Sequence, residues 1–143
     1  MLYSVLAVGD VVGESGLAHL ERHLRPLQKL KNISFTVVNG ENISGVGLTC
    51  KQARRVYDAG ADVVTLGNHT FGKMEIGRML DETPWLLRPA NLSGRMPGRG
   101  CGIFDLNGLR FRVINLIGRC ALQWNSENPF TLADRLLKQD TAD

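Results

Sequence analysis

Three times in the first half of the chain a short, branched apolar segment meets a glycine and then a side chain able to ligate a metal. The segments are Ser4-Val5-Leu6-Ala7-Val8-Gly9-Asp10, then Phe35-Thr36-Val37-Val38-Asn39-Gly40-Glu41-Asn42, then Ala61-Asp62-Val63-Val64-Thr65-Leu66-Gly67-Asn68-His69-Thr70. Branched residues close to period two read as buried strands, and a glycine lets the backbone turn sharply where each strand ends. In an open α/β sheet, ligands sit beyond the carboxyl ends of the strands. Asp10, Glu41, Asn42, Asn68 and His69 are therefore expected to converge there.

Helical signals lie between these segments. After the turn Gly13-Glu14-Ser15-Gly16, Leu17, Leu20, Leu24, Leu27 and Leu30 recur at spacings of three and four, an apolar stripe to lay on a sheet, with Pro26 a candidate kink. His19 and His23 stand one turn apart beside that stripe, next to Glu21 and Arg22, and read as a solvated helix face ahead of a metal pair. A loop with Gly45 and Gly47 precedes Thr49, which opens a helix with Gln52 three residues on, a capping box, and Gly60 is placed to close it. A helix through Ile76, Met79 and Leu80 should stop before Pro84, and Trp85 to Leu87 is a short fourth strand leading into Arg88-Pro89-Ala90-Asn91. Gly94 to Gly102 reads as an exposed loop. Ile103 to Leu106 and Leu109 to Leu116 flank Asn107-Gly108, a hairpin signal, with the last strand ending near Ile117-Gly118-Arg119. Asn128-Pro129 begins a further helix whose Leu132, Leu136 and Leu137 need a sheet to cover. The expectation is one α/β domain over residues 1–143, a mainly parallel sheet with helices and an antiparallel hairpin edge.

Composition limits the setting. With 143 residues, 43% apolar and 22% charged, the chain can bury a sizeable core. No basic n-region with a long apolar stretch opens it, no apolar run approaches the roughly 18 residues of a membrane span, and Cys50, Cys101 and Cys120 lack partners at zinc-site spacing. A cytoplasmic protein with free thiols is expected. The net charge of +3 is spread over the chain, which argues against a dedicated nucleic-acid-binding surface and leaves a small anionic substrate open.

Around Gly9 to Gly16 neither the G-x-G-x-x-G fingerprint nor a Walker lysine is present, and Asp10 directly after Gly9 would repel a phosphate. A Rossmann-type dehydrogenase is disfavoured on that ground. A metal between carboxylate and phosphate removes the repulsion. Two divalent cations carry four positive charges, of which Asp10, Glu41 and a bridging hydroxide cancel three, so positive charge is left for a phosphodiester. A lone Asp or Asn at a strand end is ordinarily a turn former. Three successive strands ending alike, with a histidine beside one of the ligands, are what point to a metal site.

Gly9-Asp10-Val11-Val12-Gly13, Asn39-Gly40-Glu41-Asn42, the Gly45-to-Thr49 loop, Gly67-Asn68-His69-Thr70, Arg88-Pro89-Ala90-Asn91 and Ile114-Asn115-Leu116-Ile117-Gly118-Arg119 together resemble the YmdB-type branch of the calcineurin-like metallophosphoesterases. The resemblance implies half of a four-layer α/β/β/α sandwich and two divalent metal ions, iron, manganese or zinc. It implies Asp10, Glu41, Asn42 and Asn68 as metal ligands, with Glu41 bridging, and His69 as the catalytic histidine near the leaving group. The implied activity is hydrolysis of phosphodiesters such as 2′,3′-cyclic nucleotides by a hydroxide between cations roughly 3.5–4 Å apart. Arg88 and Arg119 are candidates for holding the substrate phosphate, against a structural salt bridge or plain exposure.

Two departures bear on this expectation. Val12 stands where many calcineurin-like enzymes carry a histidine, and no histidine follows His69, whereas the family draws further histidine ligands from a later half. The chain is thus similar to the amino-terminal half of such an enzyme and is expected to be carboxyl-terminally truncated, to expose apolar surface and to associate, including as a homo-oligomer. The competing expectation is a catalytically inactive domain of the same fold that binds a nucleotide or a partner protein.

Overall fold

The computed structural model describes residues 2–120, 122 and 125–139. Four parallel strands, β1 (Ser4–Val8), β2 (Ile33–Asn39), β3 (Val63–Thr65) and β4 (Leu86–Leu87), lie side by side in the order β1-β2-β3-β4. They are joined by α1 (Gly13–Lys31), α2 (Cys50–Asp58) and α3 (Ile76–Glu82). Parallel crossovers are right-handed, so a sheet wound in strictly sequential order carries all its crossover helices on one face. Accordingly Leu17, Leu20 and Leu24 of α1, Ala53 and Val56 of α2 and Ile76, Met79 and Leu80 of α3 share one core with Leu6, Val8, Val38, Val64 and Leu86.

The opposite face is covered by a hairpin. β5 (Cys101–Leu106) and β6 (Leu109–Ile114) form a separate two-stranded antiparallel sheet around Asn107 (φ 55°) and Gly108 (φ 83°), both in the left-handed region that a tight hairpin turn demands. Phe104, Leu106, Phe111 and Val113 pack on Phe35, Val63 and Leu87, with the Phe35 and Phe111 rings stacked 4.3 Å apart. Neighbouring residues therefore serve opposite layers: Val63 and Leu87 face the hairpin, Val64 and Leu86 the helices. The expected antiparallel hairpin is present, laid on the sheet as its own layer. Its cover stops short of β1, where Val5 is 56% exposed.

Several local expectations hold and a few shift. Thr49 and Gln52 form the reciprocal capping box, and Gly60 follows α2 with φ 121°. α1 runs through Pro26 without interruption, and β6 ends at Ile114, short of Ile117. His19 and His23 are exposed on α1 with ring centroids 4.3 Å apart. The terminal helix, α4 (Pro129–Gln139), buries Leu132 and leaves Leu137 and Phe130 exposed.

Two asparagine side chains fix the chain beyond β4. The buried Asn91 amide donates to the carbonyls of Ile117 (2.8 Å) and Glu127 (3.0 Å), and its oxygen accepts from the Ile117 backbone N–H (2.9 Å). Asn115 Nδ2 donates to the carbonyls of Leu66 (2.7 Å) and Leu87 (3.0 Å), tying the end of β6 to the ends of β3 and β4. Asn91→Leu takes the partner from three backbone groups and should cost about 2–4 kcal/mol, read as a lowered urea midpoint.

At the other end of the sheet Asp62 is half-buried, its carboxylate accepting from Thr36 N–H (2.7 Å). Burial pushes its carboxyl up from the ordinary aspartate range, against the opposing pull of the Thr36 bond. The native state then holds the proton longer than the unfolded chain, so stability falls as pH rises from the ordinary aspartate range through the native value. Asp62→Asn keeps an acceptor for Thr36, should raise the urea midpoint at pH 7, and should lose that gain in acid where Asp62 is protonated in both states.

Candidate metal and phosphoester site

The loops leaving β1, β2 and β3 are strapped together by the backbone before any side chain is considered. Val11 N–H donates to the Asn39 carbonyl (3.0 Å), Gly40 N–H to Thr65 (3.1 Å) and Gly13 N–H to Asn42 (3.2 Å). The loop after Asn42 folds back on it: Gly45 (φ 76°) donates to the Asn42 carbonyl and Gly47 (φ 93°) to that of Glu41. A side chain at Gly47 would also meet the Gly72 and Lys73 backbone.

On this frame Asp10, Glu41, Asn42 and His69 come together. Asn42 Nδ2 lies 2.8 and 2.9 Å from the two Asp10 carboxylate oxygens, and Asn42 Oδ1 lies 2.6 Å from His69 Nδ1. Glu41 joins them through the Gly-Asn-His turn: its carboxylate accepts from the His69 backbone N–H (3.0 Å) and rests against Gly67, where any Cβ would overlap both oxygens. The Gly-Asn-His turn is locked by buried Thr70, whose hydroxyl donates to the Gly67 carbonyl (2.6 Å). Asn68 is half-buried within that turn and makes no hydrogen bond to Asp10, Glu41 or Asn42 among the described residues.

The two arginines lie outside this cluster. Arg88 is buried, its Nε donating to the Pro97 carbonyl (2.9 Å), Nη1 to Pro89 (2.8 Å) and Nη2 to Ser93 and Met96 (3.4 Å each). Its guanidinium, pulled down from the ordinary arginine range by burial, clamps the 89–97 loop; the bonds are to carbonyls, where the sequence suggested a phosphate contact or a salt bridge. Arg119 is exposed beyond β6 and borders a shallow depression with Phe130. Sequence reasoning assigned no part to Asn39, whose side-chain oxygen accepts from Glu41 N–H (3.3 Å), or to Thr70 and Asn115. All three lie within the quoted motifs, but an Asn or Thr bonded to backbone has no spacing signature of its own.

Among the described residues neither Asp10 nor Glu41 pairs with a lysine or arginine. Two carboxylates without a cationic partner are hard donors of the kind divalent cations take, while the Asn42 amide turns its NH₂ group to Asp10 and its oxygen to His69. The set is small: no group of three or more His, Cys, Asp or Glu side chains is gathered for a metal among the described residues.

The family profile described as YmdB-like protein matches residues 6–143. The chain is 40% identical over 136 residues to a Bacillus subtilis (strain 168) protein named 2′,3′-cyclic-nucleotide 2′-phosphodiesterase, covering 94% of this chain and 51% of that protein. The crystal structure of a hypothetical protein from Thermus thermophilus superposes with a TM-score of 0.85 at 31% identity, covering 94% of this chain and 52% of that one. A Mycoplasma pneumoniae structure described as a novel phosphatase superposes with a TM-score of 0.85 at 28% identity, covering 96% and 51%. The chain spans about half the length of the relatives it matches.

Because Gly67 has an ordinary φ, an alanine there is compatible with the backbone and displaces only the flexible end of Glu41. Gly67→Ala should leave the urea midpoint nearly unchanged, because the roughly 0.4–1 kcal/mol gained by restricting the unfolded chain offsets the lost bond, while the His69 amide proton, deprived of its acceptor, exchanges roughly fivefold faster, as expected for a bond worth about 1 kcal/mol.

Proposed function

This chain belongs to the YmdB-like family, and from that membership and the site's geometry we propose that it hydrolyses phosphodiesters, with 2′,3′-cyclic nucleotides as the substrate class and two divalent metal ions as cofactors. Asp10, Glu41, Asn42 and Asn68 are the residues that hold the metal, and iron, manganese and zinc all suit oxygen donors supplemented by water or imidazole. The observation that carries the reading is the joining of Asp10, Asn42, Glu41 and His69 at the carboxyl ends of three adjacent parallel strands. The name of the Bacillus subtilis relative supports the substrate class. Free Cys50, Cys101 and Cys120 suit a reducing, cytoplasmic setting.

Divalent cations supply Lewis-acid stabilisation of phosphoryl oxygens and a nucleophile at neutral pH. The protein's own residues do the rest. Glu41, wedged against Gly67 and bonded to the His69 amide, holds its carboxylate in one position relative to the Gly-Asn-His turn. His69, tethered through Nδ1, has Nε2 left to hand a proton to the leaving oxygen, a contribution of typically 10²–10⁴ in rate.

One observation favours a second reading, a non-catalytic domain that binds a nucleotide or a partner: Val5 of β1 is 56% exposed where the hairpin's cover stops. Turnover of a 2′,3′-cyclic nucleotide and of a p-nitrophenyl phosphodiester with added manganese separates the two. Under the proposed function both are hydrolysed and Glu41→Gln lowers both rates by about 100-fold or more. His69→Gln slows the cyclic nucleotide by about 100-fold and the p-nitrophenyl ester much less, because p-nitrophenolate leaves without a proton. A folded chain that binds manganese and turns over neither substrate supports the binding domain instead.

A further inference from the structure

At the amino ends of β3 and β4, the edge of the sheet opposite the candidate metal site, a groove of about 380 Å³ opens between the helix layer and the hairpin. Its volume falls in the range of small-molecule sites, roughly 300–1,000 Å³. On the helix side it is bordered by Tyr57 of α2, whose ring stacks on that of Trp85 with centroids 4.3 Å apart and planes 15° apart. On the hairpin side it is bordered by Ile103, Phe104 and Leu106 of β5. Tyr57 is 41% and Ile103 58% exposed, so both sides offer apolar surface to water. Two carboxylates complete the lining: Asp62, half-buried just before β3, and Asp105, exposed on β5.

Asp62 is the unbalanced group. Its Oδ2 accepts from the Thr36 N–H (2.7 Å), whereas Oδ1 makes no hydrogen bond or ion pair among the described residues. Asp105 is engaged elsewhere, its Oδ1 accepting from the Gly108 N–H (2.9 Å) of its own hairpin turn. Arg99 also borders the groove but does not neutralise Asp62. It bridges Leu87, which is level with Thr65, and so stands three residues up the sheet from Asp62, about 10 Å by the strand rise. The direction in which the Asp62 carboxyl is displaced agrees: burial pushes it up, only the Thr36 N–H pulls it back, and no cation contributes. A half-buried carboxylate without a counter-charge, set between aromatic and aliphatic walls, is complementary to a cation that carries an apolar body. A planar cation suits it best, because two parallel N–H donors meet a carboxylate in a fork and a flat body lies well against rings. We propose that this groove is a binding site for a small planar organic cation, an aryl amidinium or guanidinium, held by Asp62 between the Tyr57–Trp85 pair and the β5 side chains. The site lies at the far edge of the sheet from Asp10, Glu41 and His69 and does not depend on the function proposed above.

The test is a titration of the full ¹⁵N-labelled 143-residue chain with benzamidinium, followed by ¹H–¹⁵N NMR, beside benzamide, a neutral molecule of nearly the same shape. For so small a ligand a Kd on the order of 1 mM is expected. Saturable shifts should appear at the Trp85 indole N–H and at the Asp62 and Ile103 amides, with the His69 amide unmoved. Benzamide should bind about tenfold more weakly or worse, as the loss of a charge-assisted pair requires. Asp62→Asn keeps an acceptor for Thr36 and should lower the affinity for benzamidinium to that for benzamide. Ile103→Ala, at an exposed position, should weaken both ligands alike, by about threefold. Equal binding of the two ligands, an affinity unchanged in Asp62→Asn, or no saturable shift up to about ten times the expected Kd each overturns the site. Shifts that gather instead at Glu41 and the His69 amide overturn it too, since the cation then prefers the carboxylates at the other edge of the sheet.

Discussion

Every feature of the candidate site depends on strands β1, β2 and β3 being parallel, adjacent and in sequence order. Parallel pairing sends all three chains out at the same edge, so that three loops distant in sequence leave the sheet side by side. Backbone bonds from Val11 to Asn39, Gly13 to Asn42 and Gly40 to Thr65 then hold those loops at hydrogen-bonding distance. Residues 32 positions apart, Asp10 and Asn42, meet because strands one position apart end together. An antiparallel arrangement of the same strands would scatter these side chains between two edges.

The same winding explains the distribution of apolar surface. Sequential right-handed crossovers place three helices on one side, and the strands need a second layer on the other because Phe35, Val63 and Leu87 point there. The hairpin supplies that layer with two stacked or tilted phenylalanines against Phe35, but it is only two strands wide. β1 lies at the far edge of the sheet, beyond its reach, and Val5 is left exposed.

Glycines serve the site in distinct ways. Gly45 and Gly47 adopt positive φ so that their N–H groups turn back onto the carbonyls of Asn42 and Glu41. Gly67 lies outside the left-handed region and serves by leaving space, since the Glu41 carboxylate occupies the place of its missing side chain. Carboxylate, glycine and histidine amide thus form one interlocked unit, which orients Glu41 without a cationic partner among the described residues.

The alternation of strand and helix, the Thr49 capping box, the Asn107-Gly108 turn and the clustering of Asp10, Glu41, Asn42 and His69 were all determined by the chain alone, because periodicity, caps and turn chemistry act over a few residues and parallel sheets gather ligands at one edge. Arg88 shows where such reading stops: nothing in Arg88-Pro89 distinguishes a phosphate ligand from a clamp, and only the loop closing over its guanidinium makes it the latter. The layer on which the hairpin lies and the ends of β6 and α4 were likewise left to packing. So was the link through Asn42. A sequence marks an asparagine as an oxygen donor, but which of its two atoms faces Asp10 and which faces His69 is set by partners 32 and 27 residues away, and only the folded chain brings those partners into contact.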